Sequence, residues 1–460
     1  MKILRLHNLV TFWKKLTSGS TNRKIFGAAM TIASLTLMVK VVAVAKELVV
    51  AWKFGTKDEL DAFLIAFVVP SFIINVIAGS FSSALIPKYI EVRESEGKKA
   101  SQRLLSGVMI WGVVLLIITT VLMVLAAPLY LPQIARGFDS QKLNLTYSLL
   151  HTLAPVVILE GIVFIWGAVL NAGERFALAA FTPILAPLIT IILLVGVWSW
   201  GSFTLAISLI LGAVIEIIIL GIGLKKQGIV LFPKWYGLDP HLRQVAQQYL
   251  PIVAGSLLMC STNIVDQSMA AMLSPGSVAA LSYGNRVIAL PITLTTTALS
   301  TAVIPYFSKM IATQNWNDVR HTFNNYLRLI FLVTVPLTVI FMVFSEPIVR
   351  ILFQRGSFTS SDTNLVANIQ VFYAFQIPFY IASILVVRLI SAMRINQVLV
   401  WGSALNLIVN IIGNKYFMHW FGVKGIALST SCVYLGSFIY LYCVGRNKLN
   451  LKLKTQNLID

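Results

Sequence analysis

Residues Ile134-Ala135-Arg136-Gly137-Phe138 return 219 positions later as Phe353-Gln354-Arg355-Gly356-Ser357-Phe358, with Arg136 matched by Arg355. Two further pairs keep the same spacing. Ala84-Leu85-Ile86-Pro87 is answered by Ala302-Val303-Ile304-Pro305 at an offset of 218, and Asn171-Ala172-Gly173-Glu174-Arg175 by Ser391-Ala392-Met393-Arg394 at 219. One match would mean little, but a constant offset across three separated segments marks an internal repeat. Six apolar stretches lie between equivalent points, and an even number of crossings preserves orientation. The two copies are therefore expected to be parallel repeats about an axis along a membrane normal. In transporters of that kind the substrate site lies between the halves and access alternates by rocking.

Composition points to the same solvent. Of 460 residues, 57% are hydrophobic and 12% charged, about half the charged share of a soluble domain. At ~150 residues per domain the chain would make about three soluble bodies, and so little charge cannot cover them. A soluble enzyme is excluded. A window of about 20 apolar residues gives twelve spans, at 27–50, 61–87, 104–129, 147–171, 177–198, 203–224, 247–271, 280–308, 325–345, 366–391, 398–418 and 423–443. The first apolar stretch outruns a signal-peptide core and has no A-x-A-like site, so it is expected to stay as a span. The fold class expected is an all-α polytopic membrane protein, with two six-helix lobes. Its parts are a cytoplasmic basic tail (1–24), an N-lobe (25–224), a cytoplasmic linker (225–243), a C-lobe (244–445) and a second cytoplasmic tail (446–460).

Charge orients the chain. There are 36 Lys and Arg against 17 Asp and Glu, a net +19. With both termini cytoplasmic, 25 of the cationic residues fall on the cytoplasmic side and 8 on the other, as the positive-inside rule requires. Lys40, Lys46 and Arg286 remain within or at the edge of spans. An ionisable group there costs at least ~2.5–3.5 kcal/mol at the membrane centre and is a functional candidate by default. Should the repeats face each other, the three could line one cavity suited to an anion such as a diphosphate; for Arg286 the alternative is snorkelling to headgroups.

Other polar groups stand out. Glu160 and Glu216 sit in apolar runs, either as proton-titrating carboxylates or paired with hydroxyls. Asp266 lies mid-span, Asn406 and Asn410 share a helix face, and Thr430 lies in the next span. Their oxygens would suit an alkali cation, and interhelical hydrogen bonding is the alternative. The three cysteines, Cys260, Cys432 and Cys443, lie in apolar runs without metal-ligand spacing. No Walker A loop, H-E-x-x-H pair or G-x-S-x-G elbow is present, so any driving force must be an ion gradient, the membrane potential, or substrate supply and removal.

The run from Lys40 to Pro87, with Phe54-Gly55, Asp61-Ala62-Phe63, Pro70 and Ala78-Gly79-Ser80-Phe81-Ser82-Ser83-Ala84-Leu85-Ile86-Pro87, resembles the MurJ (MviN) family of lipid II flippases. So do Tyr283-Gly284-Asn285-Arg286 with Leu290-Pro291, Pro305 and Ser308, and Leu352 to Phe358 with Asp362. The resemblance covers about residues 25–445. It implies the MOP exporter fold, two six-helix lobes in a V around a cationic cavity. It also implies export of the undecaprenyl-diphosphate-linked peptidoglycan precursor to the outer leaflet of a bacterial cytoplasmic membrane, without enzymatic chemistry. By this resemblance Lys40, Lys46 and Arg286 hold the diphosphate, supported by Glu47, Asp61 and Asn285. Partners are the lipid-linked glycan, membrane lipids and cell-wall synthesis proteins, with no nucleic acid. No cofactor is expected beyond a coupling Na+ or H+.

Several positions depart from the family pattern. Two first-helix arginines appear as Lys40 and Lys46, which keep the charge and lose the bidentate fork. The basic pair of helix 2 falls at Ile74 and Asn75, and an acidic residue of helix 8 at Ala289. The family typically has fourteen helices against twelve here. Another lipid-linked oligosaccharide is thus the nearest alternative substrate. A cation-coupled drug exporter, which would prefer acidic residues, and a transport-dead scaffold follow.

Overall fold

A computed structural model describes residues 21–173, 175–196, 200–237, 239–393 and 395–456, with the side chains of 21–33, 298, 300–306, 308, 309, 312 and 454–456 left aside. The expected tail up to residue 20, and Glu174 and Arg394 of the third repeat pair, lie outside the described residues. Among those described, the regular elements are helical: α1 (Thr21–Phe54), α2 (Asp58–Ser95), α3 (Lys98–Ile134), α4 (Ser140–Ala172), α5 (Phe176–Gly196), α6 (Phe203–Lys226), α7 (Pro240–Ala271), α8 (Ser277–Ala312), α9 (Trp316–Val343), α10 (Ser345–Phe353), α11 (Ser360–Ala392), α12 (Gln397–Phe421) and α13 (Val423–Gln456). Ten of these are long and apolar enough to cross a membrane, and α1 and α8 occupy the first and eighth expected spans. In hydrocarbon every backbone N–H and C=O must be paired within the segment, so long apolar runs become helices.

Local signals set the ends. Asn315 accepts the N–H of Asp318 at 3.2 Å and starts α9. Thr359 and Asp362 form a reciprocal capping box at the start of α11, each satisfying an otherwise orphaned N–H. Two boundaries differ from expectation. α7 begins at Pro240, inside the expected linker, and α13 continues to Gln456 through most of the expected second tail. Hydropathy marks the apolar part of a helix, whereas the polar extension 447–456 continues the same backbone ladder, with Leu449 and Leu453 buried. The short α10 was also not anticipated; at nine residues it is too brief to span. In α2 the residues Ile74–Ala78 form a π-helical turn, at the positions where the basic pair of helix 2 is replaced.

The chain folds into two compact units. The first comprises 21–50, Ile73–Ala126 and Ser148–Val253; the second comprises Ala51–Phe72, Ala127–Tyr147 and 254–456. The core of the first packs Phe81, Leu85, Val108, Trp166, Leu220 and Leu242, and Phe81 stacks on Tyr249 with ring centroids 4.2 Å apart. Arg93 donates to the carbonyl of Ala172 at 2.9 Å, closing the C-terminus of α4. The second unit buries Tyr283 between Phe353 and Phe358, at 5.1 and 5.5 Å.

Within the second unit the repeat is visible in three dimensions. A Cβ on Gly137 would lie 2.2 Å from the carbonyl oxygen of Ala271, and one on Gly356 2.4 Å from that of Trp52. Gly137 and Gly356 are the repeated glycines, and Trp52 and Ala271 are themselves 219 apart. Each copy's glycine thus seats against the helix end of the other copy. Gly356 has φ of 59° as well, a conformation open to glycine at little cost.

Candidate functional site

A cavity of about 440 Å³ opens among α2, α7, α8, α11, α12 and α13, and among the described residues it is lined from the second unit. Among the described residues, the arginine and carboxylate side chains that face it are Arg286 and Asp266. Arg286 comes from α8, where Gly284 allows close approach to α11: a Cβ there would sit 2.7 Å from Ile369 Cγ2. The guanidinium lies 5.8 Å from the ring centroid of Tyr283, a cation–π arrangement. Asn285 also lines the cavity and is exposed. A fixed cation on an aromatic seat, beside an amide, can bind a phosphate oxygen.

Asp266 in α7 is held differently. It accepts Asn410 Nδ2 at 2.8 Å, Asn414 Nδ2 at 2.6 Å and Thr430 Oγ1 at 3.2 Å. The amide oxygens of Asn410 and Asn414 are buried and, among the described residues, meet no donor. A carboxylate thus gathers two amide N–H groups and a hydroxyl from three helices, and its oxygens, with that hydroxyl, are hard donors of the kind an alkali cation accepts. Of the residues singled out from sequence, Asp266, Asn410 and Thr430 form this cluster. Asn406 lines the same cavity but donates to Ser437 at 3.2 Å. Asn414 was missed. Its signal was present, since it continues the row Asn406, Asn410, Asn414 at four-residue spacing along one helix face.

The other expected site residues fall elsewhere. Asp61, expected to support the cavity, is 1% exposed and binds Lys142 Nζ at 2.8 Å and the backbone N–H groups of Gly276 and Ala279 at 2.7 and 2.8 Å. It caps α8 and pairs with a buried lysine, because a carboxylate at a helix start is drawn to unsatisfied N–H groups. Lys142 also pairs with Asp58. In the first unit, Lys40 is exposed on α1, and Lys46 pairs with the adjacent Glu47 at 2.6 Å. Glu160 of α4 and Glu216 of α6 are close enough to interact electrostatically, and Glu216 is hydrogen-bonded to Thr182.

Comparison with known proteins places the fold. The family described as lipid II flippase MurJ matches residues 50–459. A probable lipid II flippase MurJ of Synechocystis is 26% identical over 458 residues, covering 95% of this chain and 84% of that protein. The lipid II flippase MurJ of Burkholderia cenocepacia is 26% identical over 75% of this chain and 69% of its own length. Among solved structures, the inward closed conformation of a lipid II flippase MurJ superposes with a TM-score of 0.77 at 24% identity, covering 94% of this chain and 91% of that one. An inward-facing multidrug resistance MATE family transporter of the MOP superfamily gives 0.79 at 13% identity, covering 93% and 99%. The fold is that of MOP superfamily transporters.

Proposed function

The chain belongs to the lipid II flippase MurJ family, and on that premise we propose that it carries a polyprenyl-diphosphate-linked peptidoglycan precursor from the cytoplasmic to the outer leaflet of a bacterial inner membrane. The observation that carries the reading is Arg286, a cation kept at the wall of a polar cavity between membrane helices, where such a charge is costly unless used. Arg286, with Asn285 beside it, engages the diphosphate. Lys40 and Lys46 of α1 supply further positive charge as access alternates, with Glu47 orienting Lys46. Translocation makes and breaks no covalent bond. Both termini face the cytoplasm, and the enzymes that polymerise cell-wall glycan are the functional partners.

An alkali cation would be held by Asp266, Asn410, Asn414 and Thr430, where it would neutralise the buried carboxylate and tie α7 to α12 and α13. Glu160 and Glu216 of the first unit are the candidates for proton coupling.

The test is complementation of a cell depleted of its lipid II flippase. The wild-type chain should restore growth, and Arg286→Ala should not. If the inserted, expressed wild-type chain fails, lipid II is not the cargo. The second reading, export of another polyprenyl-diphosphate-linked glycan, is favoured at one point: the basic pair of helix 2 is replaced by Ile74 and Asn75 on the π-helical turn.

A further inference from the structure

Away from the central cavity, the polar end of α9 and the extension of α13 enclose a second cavity of about 280 Å³. Arg320 and Arg328 enter from α9 and Arg446 from α13, and among the described residues no carboxylate lines it. The nearby carboxylate of α9, Asp318, is engaged by Asn315 Nδ2 at 2.6 Å. The floor is aromatic: Phe323 and Tyr442 stack with centroids 6.2 Å apart, and Arg446 lies over Tyr442 at 6.0 Å. Three guanidiniums around one small cavity repel each other unless an anion joins them, and arginine's fork matches phosphate oxygens.

The surroundings choose between phosphate sources. One turn beyond Arg328 on the same side of α9, Leu332 is 72% exposed, and Ile439 of α13, one turn from Tyr442, is 52% exposed. A hydrocarbon track thus begins where the arginines end. The other repeat builds a similar place by itself. At the start of α3, Lys99 and Arg103 share a cavity of about 250 Å³ with Lys234 and Tyr236, and Arg103 lies 5.7 Å from the Tyr236 ring centroid. The starts of α3 and α9 are 218 residues apart, so the feature recurs at equivalent points.

We propose that the Arg320–Arg328–Arg446 cavity is a binding site for the phosphate headgroup of an anionic membrane phospholipid, with acyl chains along Leu332 and Ile439. Basic pockets between membrane helices at the cytoplasmic face are suited to such headgroups. The site is separate from the cargo cavity and does not depend on what the cargo is.

The experiment is native mass spectrometry of the full chain released from detergent, with phosphatidylglycerol or phosphatidylcholine added. The wild type should retain phosphatidylglycerol over phosphatidylcholine. A triple Arg320→Gln, Arg328→Gln, Arg446→Gln variant should hold phosphatidylglycerol at least tenfold more weakly, with phosphatidylcholine unchanged. The triple Arg→Lys variant keeps the charge and should retain most of the binding. Should the glutamine triple misfold, Arg328→Gln alone serves, with a smaller loss in the same direction. Undiminished phosphatidylglycerol retention in folded glutamine variants overturns the site. Displacement of the lipid by inorganic phosphate alone overturns the lipid as occupant.

Discussion

The carboxylate of Asp61 accepts the backbone N–H of Gly276 at 2.7 Å, joining the start of α2 to the start of α8. These two starts, Asp58 and Ser277, are 219 residues apart. A side chain of the first copy thus caps the equivalent helix of the second. A second contact between the copies lies nearby, where Thr56, in the turn before α2, donates to Asp362 at the head of α11. Helix starts that repeat in sequence are thus tied to one another in space.

Asp61→Ala should be strongly destabilising. It leaves Lys142 buried beside Asp58 alone and frees two helix N–H groups. Breaking a buried pair costs about 3–5 kcal/mol. Asp61→Asn keeps an acceptor for the cap and should fall between alanine and wild type. Thermal unfolding of the purified protein, followed by fluorescence-detected size exclusion, checks the order. Equal midpoints for alanine and wild type would remove the structural role.

Gly137→Ala and Gly356→Ala should each lower the unfolding midpoint, because the new methyl meets a backbone carbonyl that cannot swing aside. Overpacking of this kind costs about 1–3 kcal/mol, and Gly356→Ala should be worse because of its positive φ. Gly79→Ala is the control: nothing lies within 4 Å of its Cβ position, and alanine in a helix gains about 0.5–1 kcal/mol over glycine.

At Arg286, lysine and alanine should separate charge from geometry. Alanine should abolish complementation. Lysine keeps the cation and loses the fork, and hydrogen bonds to charged groups contribute about 1.5–3 kcal/mol each, so Arg286→Lys should transport roughly tenfold more slowly. A flux assay with lipid-linked substrate in vesicles measures it. Wild-type rates for both variants would show that Arg286 does not touch the cargo.

For the oxygen cluster, Asn414→Asp adds a second carboxylate beside Asp266. Greater ligand charge tightens cation sites, so sodium should raise the unfolding midpoint more for this variant than for the wild type. Asp266→Asn should abolish the sodium response. A sodium response that survives Asp266→Asn would place the cation elsewhere.

How far each feature was legible follows from its range along the chain. Ten of the expected spans, among the described residues, could be read because a bilayer imposes a local rule, some 20 apolar residues per crossing. The parallel repeat could be read because even crossings preserve direction. Arg286, Asp266, Asn410 and Thr430 stood out for a related reason: polar atoms in hydrocarbon are expensive wherever they occur. Asn414 escaped although it lies four residues beyond Asn410, because an amide near a span end does not look costly. The run from Asn447 to Gln456 escaped because a helix that leaves the membrane loses its apolar signal while keeping its hydrogen bonds.

The amino-acid sequence by itself determined that this is a membrane protein of two parallel repeats, and which buried polar residues needed an explanation. Only the tertiary structure decided which of them answer to one another. Asp61 and Asp266 are alike in composition terms, each a carboxylate in or beside an apolar run. Asp61 is taken up by Lys142 and two backbone N–H groups at a helix start, and it holds the fold. Asp266 faces a cavity with amides and a hydroxyl around it, and it is left with chemistry to offer. The physical reason is that the electrostatic worth of a buried charge is set by its partners in space, and those lie 81 to 218 residues away from Asp61 and 144 to 164 from Asp266.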